Sequence, residues 1–560
     1  MEFTRREYPG HPSVVIRQTG PRTSTTRRSA MHASTRTLDL APAPVSLGVR
    51  VTDTRLPPHA AIELYTLLRH EFGAREVFLL EGLGGPAEHR GPTVVGLGRL
   101  AEIRVHARHV EIDGAPSLAA AFAGCAARAG LTAEPPTDDT VARFTPTEPD
   151  QVWRLLAAAQ DLFQVETELA ASSYTFGFLT SVAYEAAWHM EELPRRDEDV
   201  GPPDLTLTLF RDTVWYKPGT GDIRLLRADP VDGGVFPPRH LLDLAALARQ
   251  AAAAPATATP EAPRARAVRD SVARETFLER ARICLEHIGV GDIYQIQLGH
   301  RIDVLSELTP PDVYRRLRAR NPSPYMYLLP RAKGELIGAS PELFFRSVDG
   351  EITMRPIAGT TRRGPDQEEN DRRVKEMLAS SKELAEHIML VDLCRNDIGR
   401  VSLPGTLPVD SLMTVEGFSH VFHLVSTVRG RLEPGTSAWD ALRATFPAGT
   451  MSGAPKLRAM EIINALEGQA RGSYAGAVGL IDVCGWAELA LCIRTIAYDA
   501  GIFSTQSSAG IVAESRAEAE WDETLAKMGA AYWALTGEEL VGDGPGSGAY
   551  TEAAGEGRMA

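Results

Sequence analysis

Ala385-Glu-His-Ile-Met-Leu-Val-Asp-Leu-Cys-Arg-Asn-Asp397 is the stretch from which the rest of the chain can be read. Apolar residues recur at helical spacing from Leu384 to Asp392, and just upstream Glu383 joins Glu386 at an i, i+3 separation. That spacing sets both carboxylates on one helical face. It returns at Glu520 and Glu523, inside a predicted helix from Ala517 to Leu535. Four oxygen donors on two facing helices suit a hard divalent ion such as Mg2+, which keeps positions open for water and substrate. Spacing alone equally accommodates a solvated face, with Glu523 paired to Lys527 at i+4. Asp392 to Arg400 reads as a helix end and turn, with Asn396 and Asp397 as caps.

Around this stretch strands and helices alternate. Tyr325-Met-Tyr-Leu-Leu, Glu335-Leu-Ile-Gly and Ala475-Gly-Ala-Val-Gly-Leu-Ile read as strands, and Pro455 to Leu466 as a helix. Upstream, residues 46–248 alternate in the same way, for example at Leu205-Thr-Leu-Thr-Leu-Phe. A Pro- and Ala-rich segment, residues 249–266, reads as a linker or long surface loop before a second region, 267–536. Residues 1–45 are rich in Arg, Ser and Thr without an apolar period and read as a disordered extension; a transit peptide, or a start at Met31, fits the same composition. Residues 537–560, rich in Gly, Ala and Glu, read as a disordered tail. The fold class is α+β.

Phe446-Pro-Ala-Gly-Thr-Met-Ser-Gly-Ala-Pro-Lys456 offers amides, hydroxyls and a lysine where a helix begins. An anion could dock there, although plain turn chemistry explains the sequence as well. His423, among apolar neighbours, reads first as a satisfied core histidine.

Composition narrows the function. A net charge of −14 over 560 residues offers no overall basic field for nucleic acid or anionic membrane. No apolar run reaches the roughly 18–20 residues of a membrane-spanning helix. Five scattered cysteines without zinc spacing point to free thiols in a reducing cytoplasm.

Several stretches, in order, resemble the chorismate-utilising family that includes anthranilate synthase component I. They are Gly291-Asp-Ile-Tyr-Gln-Ile-Gln-Leu, Ala339-Ser-Pro-Glu-Leu, Arg355-Pro-Ile-Ala-Gly-Thr, the opening stretch, Ser419-His-Val, the 446–456 segment, and Ala509-Gly-Ile-Val-Ala-Glu-Ser before Glu523. The resemblance implies two antiparallel β-sheets packed together with helices outside. It implies Mg2+ as cofactor, held by Glu386 and Glu523 with Glu383 and Glu520 in support. The substrate would be chorismate, its ring carboxylate against Ala509 and Gly510 and its enolpyruvyl carboxylate gripped by Tyr474 and Arg494, with Thr360 also in the substrate site. Glu342 resembles the acid that protonates the departing C4 hydroxyl, Lys527 completes the charge balance, and His423 and Thr450 belong to pyruvate loss.

Two positions choose within the family. Gln295 stands where water-using members carry a lysine base, and glutamine cannot serve as a base near neutral pH. Ala358 stands where aminodeoxychorismate synthase carries a nucleophilic lysine. Both favour ammonia addition at C2 to give 2-amino-2-deoxyisochorismate, followed by pyruvate elimination to anthranilate. A synthase that stops before the elimination is the nearest alternative, with aminodeoxychorismate or isochorismate and salicylate formation further off. No cysteine sits in a glutaminase nucleophile turn, so ammonia is expected from a glutamine amidotransferase subunit in trans, in either a homodimer or a heterotetramer. The family's tryptophan site corresponds to Leu80-Glu81-Gly82 and Pro324-Tyr325-Met326. Gly82 lacks the usual serine hydroxyl, so weak or absent tryptophan inhibition, suited to a specialised pathway, is expected.

Overall fold

Ser380 starts the helix that contains the opening stretch: its hydroxyl accepts from the Glu383 amide at 3.3 Å, satisfying one of the free first-turn donors. The helix Ser381–Gly399 then runs through Asn396 and Asp397, so these two residues are not caps. Asp397 is buried and takes the Lys456 ammonium at 2.8 Å. Lys456 also donates to the Thr445 carbonyl at 3.2 Å, so the amine at the start of the helix Lys456–Glu467 ties two elements together. Burial of this pair, invisible in local spacing, is what overrides the turn reading.

The computed structural model describes residues 46–135, 141–193, 201–231, 233, 235–239, 242–255, 258–418, 421–542, 544–545 and 551–552. The expected extension over residues 1–45 lies outside these, as do Ser419 and His420. The described residues form one compact unit of α+β class. Its strands join in a continuous, almost wholly antiparallel ladder, with Leu47–Arg55 beside Phe163–Thr167 running parallel. Helices pack on the ladder, and two large apolar clusters fill the interior.

The stretches on either side of the Pro/Ala-rich segment interleave. Val77–Glu81 pairs with Tyr325–Pro330, and Gly177–Val182 with Ala477–Asp482. The segment itself starts later than its composition implies, because Leu244–Ala253 is helical behind an Asp243 cap. Beyond it, Arg316 donates to the carbonyls of Pro260 at 2.6 Å, Ala534 at 2.6 Å and Trp533 at 3.0 Å. One guanidinium thus fastens the loop to the end of the helix Ala517–Thr536 and satisfies that helix's last carbonyls. The tail is likewise ordered in part: Glu539 pairs with Arg320 at 2.5 Å, and Thr551–Glu552 forms a ladder with Ala267–Val268. The expectation of a wholly disordered tail is corrected by these contacts.

Candidate active site

Strands Gln295–Leu305 and Ile502–Ile511 run antiparallel with Gln297 opposite Gly510 and Leu298 opposite Ala509. Alternation along a strand puts Gln295 and Gln297 on one face, as it does Ser508 and Gly510 on the partner. Glycine at 510 matters here. A β-carbon there would lie 2.9 Å from Gln297 Nε2 and 3.2 Å from Gln295 Nε2. Gln297 Oε1 accepts from Ser508 Oγ at 2.7 Å, and Ser508 Oγ lies 2.6 Å from the Tyr474 hydroxyl. Gln295 Oε1 is buried with no partner, an acceptor left for something not in the chain. Gln297 and Ser508 were not singled out from sequence, though their period-2 relation to Gln295 and Gly510 was the available signal.

Arg494 lies between two strands with a positive φ of 52°, and Ala475, next to Tyr474, has 63°. Each such conformation costs about 1–3 kcal/mol in a non-glycine residue, and such outliers concentrate at functional sites. Among the described residues no carboxylate forms an ion pair with the Arg494 guanidinium. Burial lowers its pKa, while Tyr474, Glu523 and Glu342 act in the opposite sense. A half-buried guanidinium without a salt bridge is suited to an incoming carboxylate.

Glu342 is 6% exposed, and Thr450 Oγ1 donates to its Oε1 at 3.4 Å. Burial pushes its carboxyl up to about 8, more than Thr450, Arg494 and Lys527 pull it down. The group is therefore protonated at neutral pH. A small cleft, about 220 Å3 including its open mouth, lies beside Glu342 and Thr450, with Arg355 and Cys394 on its wall.

Gly359, with φ 63°, sits at an irregularity where Ile357–Arg362 pairs with Val421–Arg431. The bulge turns Thr360 so that its Oγ1 lies 2.9 Å from His423 Nδ1. Burial above all, helped by Arg494 and Lys527 and opposed by the Gly359 carbonyl, lowers His423 to about 4, so the ring is neutral. Glu383 reaches the same place: its Oε2 lies 3.3 Å from where a Gly359 β-carbon would stand.

Lys527 Nζ contacts Glu523 Oε1 at 2.5 Å and donates to the Ser508 carbonyl at 2.9 Å. Arg494 is thus within electrostatic reach of Glu342, His423, Tyr474 and Glu523, and Lys527 within reach of Glu342 and His423. The four glutamates stand on Ser381–Gly399 and Ala517–Thr536, with Glu520 buried and Glu523 exposed. They do not close into a cage. Among the described residues, the one trio of His, Cys, Asp or Glu with ligand atoms within 4.8 Å of one another is His106, His109 and Glu111, elsewhere in the fold.

The positions matched to a tryptophan site do meet, since Glu81 pairs with Met326 across two strands. Glu81 is occupied by Tyr314 at 2.6 Å and Arg318 at 2.8 Å. A β-carbon on Gly82 would come within 2.1 Å of the Gly91 carbonyl oxygen, and the Gly91 amide donates to the Pro324 carbonyl at 3.0 Å. Backbone fills the space a serine side chain would need.

The chorismate binding enzyme family matches residues 122–532. A 2-amino-4-deoxychorismate synthase of Streptomyces globisporus is 46% identical over 501 residues, covering 89% of this chain and 99% of that protein. An anthranilate synthase component 1 of Streptomyces coelicolor is 43% identical over 376 residues, covering 65% of this chain and 74% of that one. The crystal structure of anthranilate synthase component I from Streptococcus pneumoniae TIGR4 superposes with a TM-score of 0.61 at 28% identity, over 79% of this chain and 92% of that chain. With the family matched over most of the chain and a relative 46% identical almost end to end, this chain belongs to the chorismate-binding enzyme family.

Proposed function

We propose that this chain aminates chorismate at C2 in a Mg2+-dependent reaction, using ammonia from a separate glutaminase subunit, and releases 2-amino-4-deoxychorismate. That name and 2-amino-2-deoxyisochorismate describe one compound, with an amino group at C2, no hydroxyl at C4 and the enolpyruvyl ether intact. The observation that carries the reaction is the buried, protonated Glu342 beside Arg494 and Lys527. In the step itself a C2–N bond forms, both ring double bonds shift (C1=C2 to C1=C6 and C5=C6 to C4=C5), the C4–O bond breaks, and the new ammonium group releases a proton to solvent. The Glu342 proton leaves with the hydroxyl as water. Arg494 and Tyr474 orient the enolpyruvyl carboxylate, and Gln295 supplies an amide where a base for water would be needed.

Glu386 and Glu523 would hold the metal, with Glu383 and Glu520 in support; this fits Mg2+, which is commonly bound through one or two carboxylates plus waters and substrate oxygens rather than a protein cage. When bound, the ion supplies charge neutralisation for the ring carboxylate. Glu523, now paired with Lys527, would exchange that partner.

Retention of the enolpyruvyl group is supported by the relative matched almost end to end, itself named for that product. The second reading continues to anthranilate by pyruvate loss and is favoured by the neutral His423 held by Thr360. Incubation of the purified chain with chorismate, Mg2+ and ammonium, followed by mass and fluorescence analysis, separates the two. An aminated product that keeps its enolpyruvyl mass supports the first, and fluorescent anthranilate with equal pyruvate replaces it with the second. Isochorismate as the product would overturn both.

A further inference from the structure

A second cleft, of about 680 Å3 including its open mouth, lies between the end of helix Ala61–Phe72, the start of helix Leu244–Ala253 and the strands beneath. It shares no residue with the Glu342 site or with the Leu80–Gly82 and Pro324–Met326 elements. Its floor is one row of register partners: Leu97, then Asp212, then Arg227 on three adjacent antiparallel strands. Phe72, Leu242 and Leu244 supply apolar walls.

The polar groups of this cleft are unevenly satisfied. Arg211 and Arg239 each donate to Asp229 at 2.8 Å, and Arg239 also holds Asp212 through Oδ2. Arg99 pairs with Asp113 at 2.5 Å. Three buried atoms have no hydrogen-bond partner: Arg99 Nε, Asp212 Oδ1 and Arg227 Nε. Arg227 makes no ion pair among the described residues, although Asp212 stands directly across the ladder. A buried donor or acceptor left unsatisfied costs free energy, so a cation and a carboxylate oxygen both left open mark a place where a ligand completes the set.

We propose that this cleft binds a small aminocarboxylate with an apolar body. Its carboxylate accepts from Arg227, its amine donates to Asp212 Oδ1, and its body lies against Phe72, Leu97 and Leu242. A simple anion would leave Asp212 Oδ1 unmet and meet its charge, while a simple amine would leave Arg227 unmet. A ligand bearing both groups satisfies both atoms and matches both charges. Free amino acids with apolar side chains and aminated ring carboxylates share this chemistry, and they are told apart by titration.

Calorimetric titration of the full chain with L-phenylalanine and with 2-aminobenzoate is the test, with 3-phenylpropionate and phenethylamine as controls that each lack one group. At least one of the first two is expected to bind with a Kd below about 1 mM, and both controls at least tenfold more weakly. Whichever of the two binds more tightly identifies the source. Arg227→Gln should weaken binding at least tenfold, Arg227→Lys less, and neither should change chorismate turnover without the ligand. Binding that is undiminished in Arg227→Gln, or equal binding of a control, overturns the proposal, as does no binding of either aminocarboxylate. The comparison of ligands on the unaltered chain keeps the test decisive should a variant fail to fold.

Discussion

Above pH 8, turnover of chorismate should fall about tenfold per pH unit, because Glu342 then loses the proton it must deliver. The magnitude follows from burial. With a carboxyl at about 8, roughly 90% of the enzyme carries the proton at pH 7, whereas an ordinary carboxyl near 4.5 would hold it in roughly 0.3%. The shift of about 3.5 pKa units, ~5 kcal/mol, thus raises the available acid at pH 7 by about 300-fold, or ~3.4 kcal/mol, since protonation is nearly complete there. The assay is chorismate loss under saturating Mg2+, with the concentration of unprotonated ammonia held constant across the pH series. Glu342→Gln should lower kcat by about 10²–10⁴ and abolish the descending limb. Thr450→Val should move the limb to higher pH, since the Thr450 hydrogen bond favours the ionised carboxylate. Stability gives an independent readout. Between the ordinary carboxyl value and about 8, the folded state keeps a proton the unfolded chain has lost. Glu342 therefore makes stability fall as pH rises through that window, by about 1.4 kcal/mol per unit, and Glu342→Gln should flatten the slope. A descending limb that survives in Glu342→Gln would refute the assignment.

Other expected outcomes are equally specific. Glu386→Gln should abolish Mg2+-dependent turnover while leaving the fold intact; near-normal turnover at saturating Mg2+ would remove Glu386 from the metal site. Gly510→Ala should fold but raise the KM for chorismate at least tenfold, since its β-carbon meets the Gln297 and Gln295 amides; an unchanged KM would place the ring carboxylate elsewhere. Asp397→Ala should cost about 3–5 kcal/mol in denaturant unfolding, because Lys456 is left as a buried charge without its partner. Tryptophan should not inhibit the unaltered chain, and Gly82→Ser should destabilise it without creating inhibition, as the Gly91 carbonyl occupies that space; inhibition at low micromolar tryptophan in either protein would contradict this.

The candidate site could be named before the fold. Glu342, Gly510 and Glu386 lie in short ordered stretches, Tyr474 and Arg494 came only from the family resemblance, and the i, i+3 spacing of Glu383 with Glu386 is a local property of one helix. The α+β class follows from periodicities of 3.6 and 2, set by backbone geometry within a few residues. Other features depend on residues distant in sequence. Asp397 looked like a cap because its partner, Lys456, lies 59 positions away. The shift of Glu342 comes from the burial that distant segments impose, and the neutral state of His423 from that burial plus the cations Arg494 and Lys527. The Arg227 and Asp212 cleft exists only because two strands register opposite one another, which neither sequence specifies alone. Local spacing thus determined which side chains share a face. Desolvation, charge and unmet hydrogen bonds, which depend on everything folded around a group, were decided by the tertiary structure.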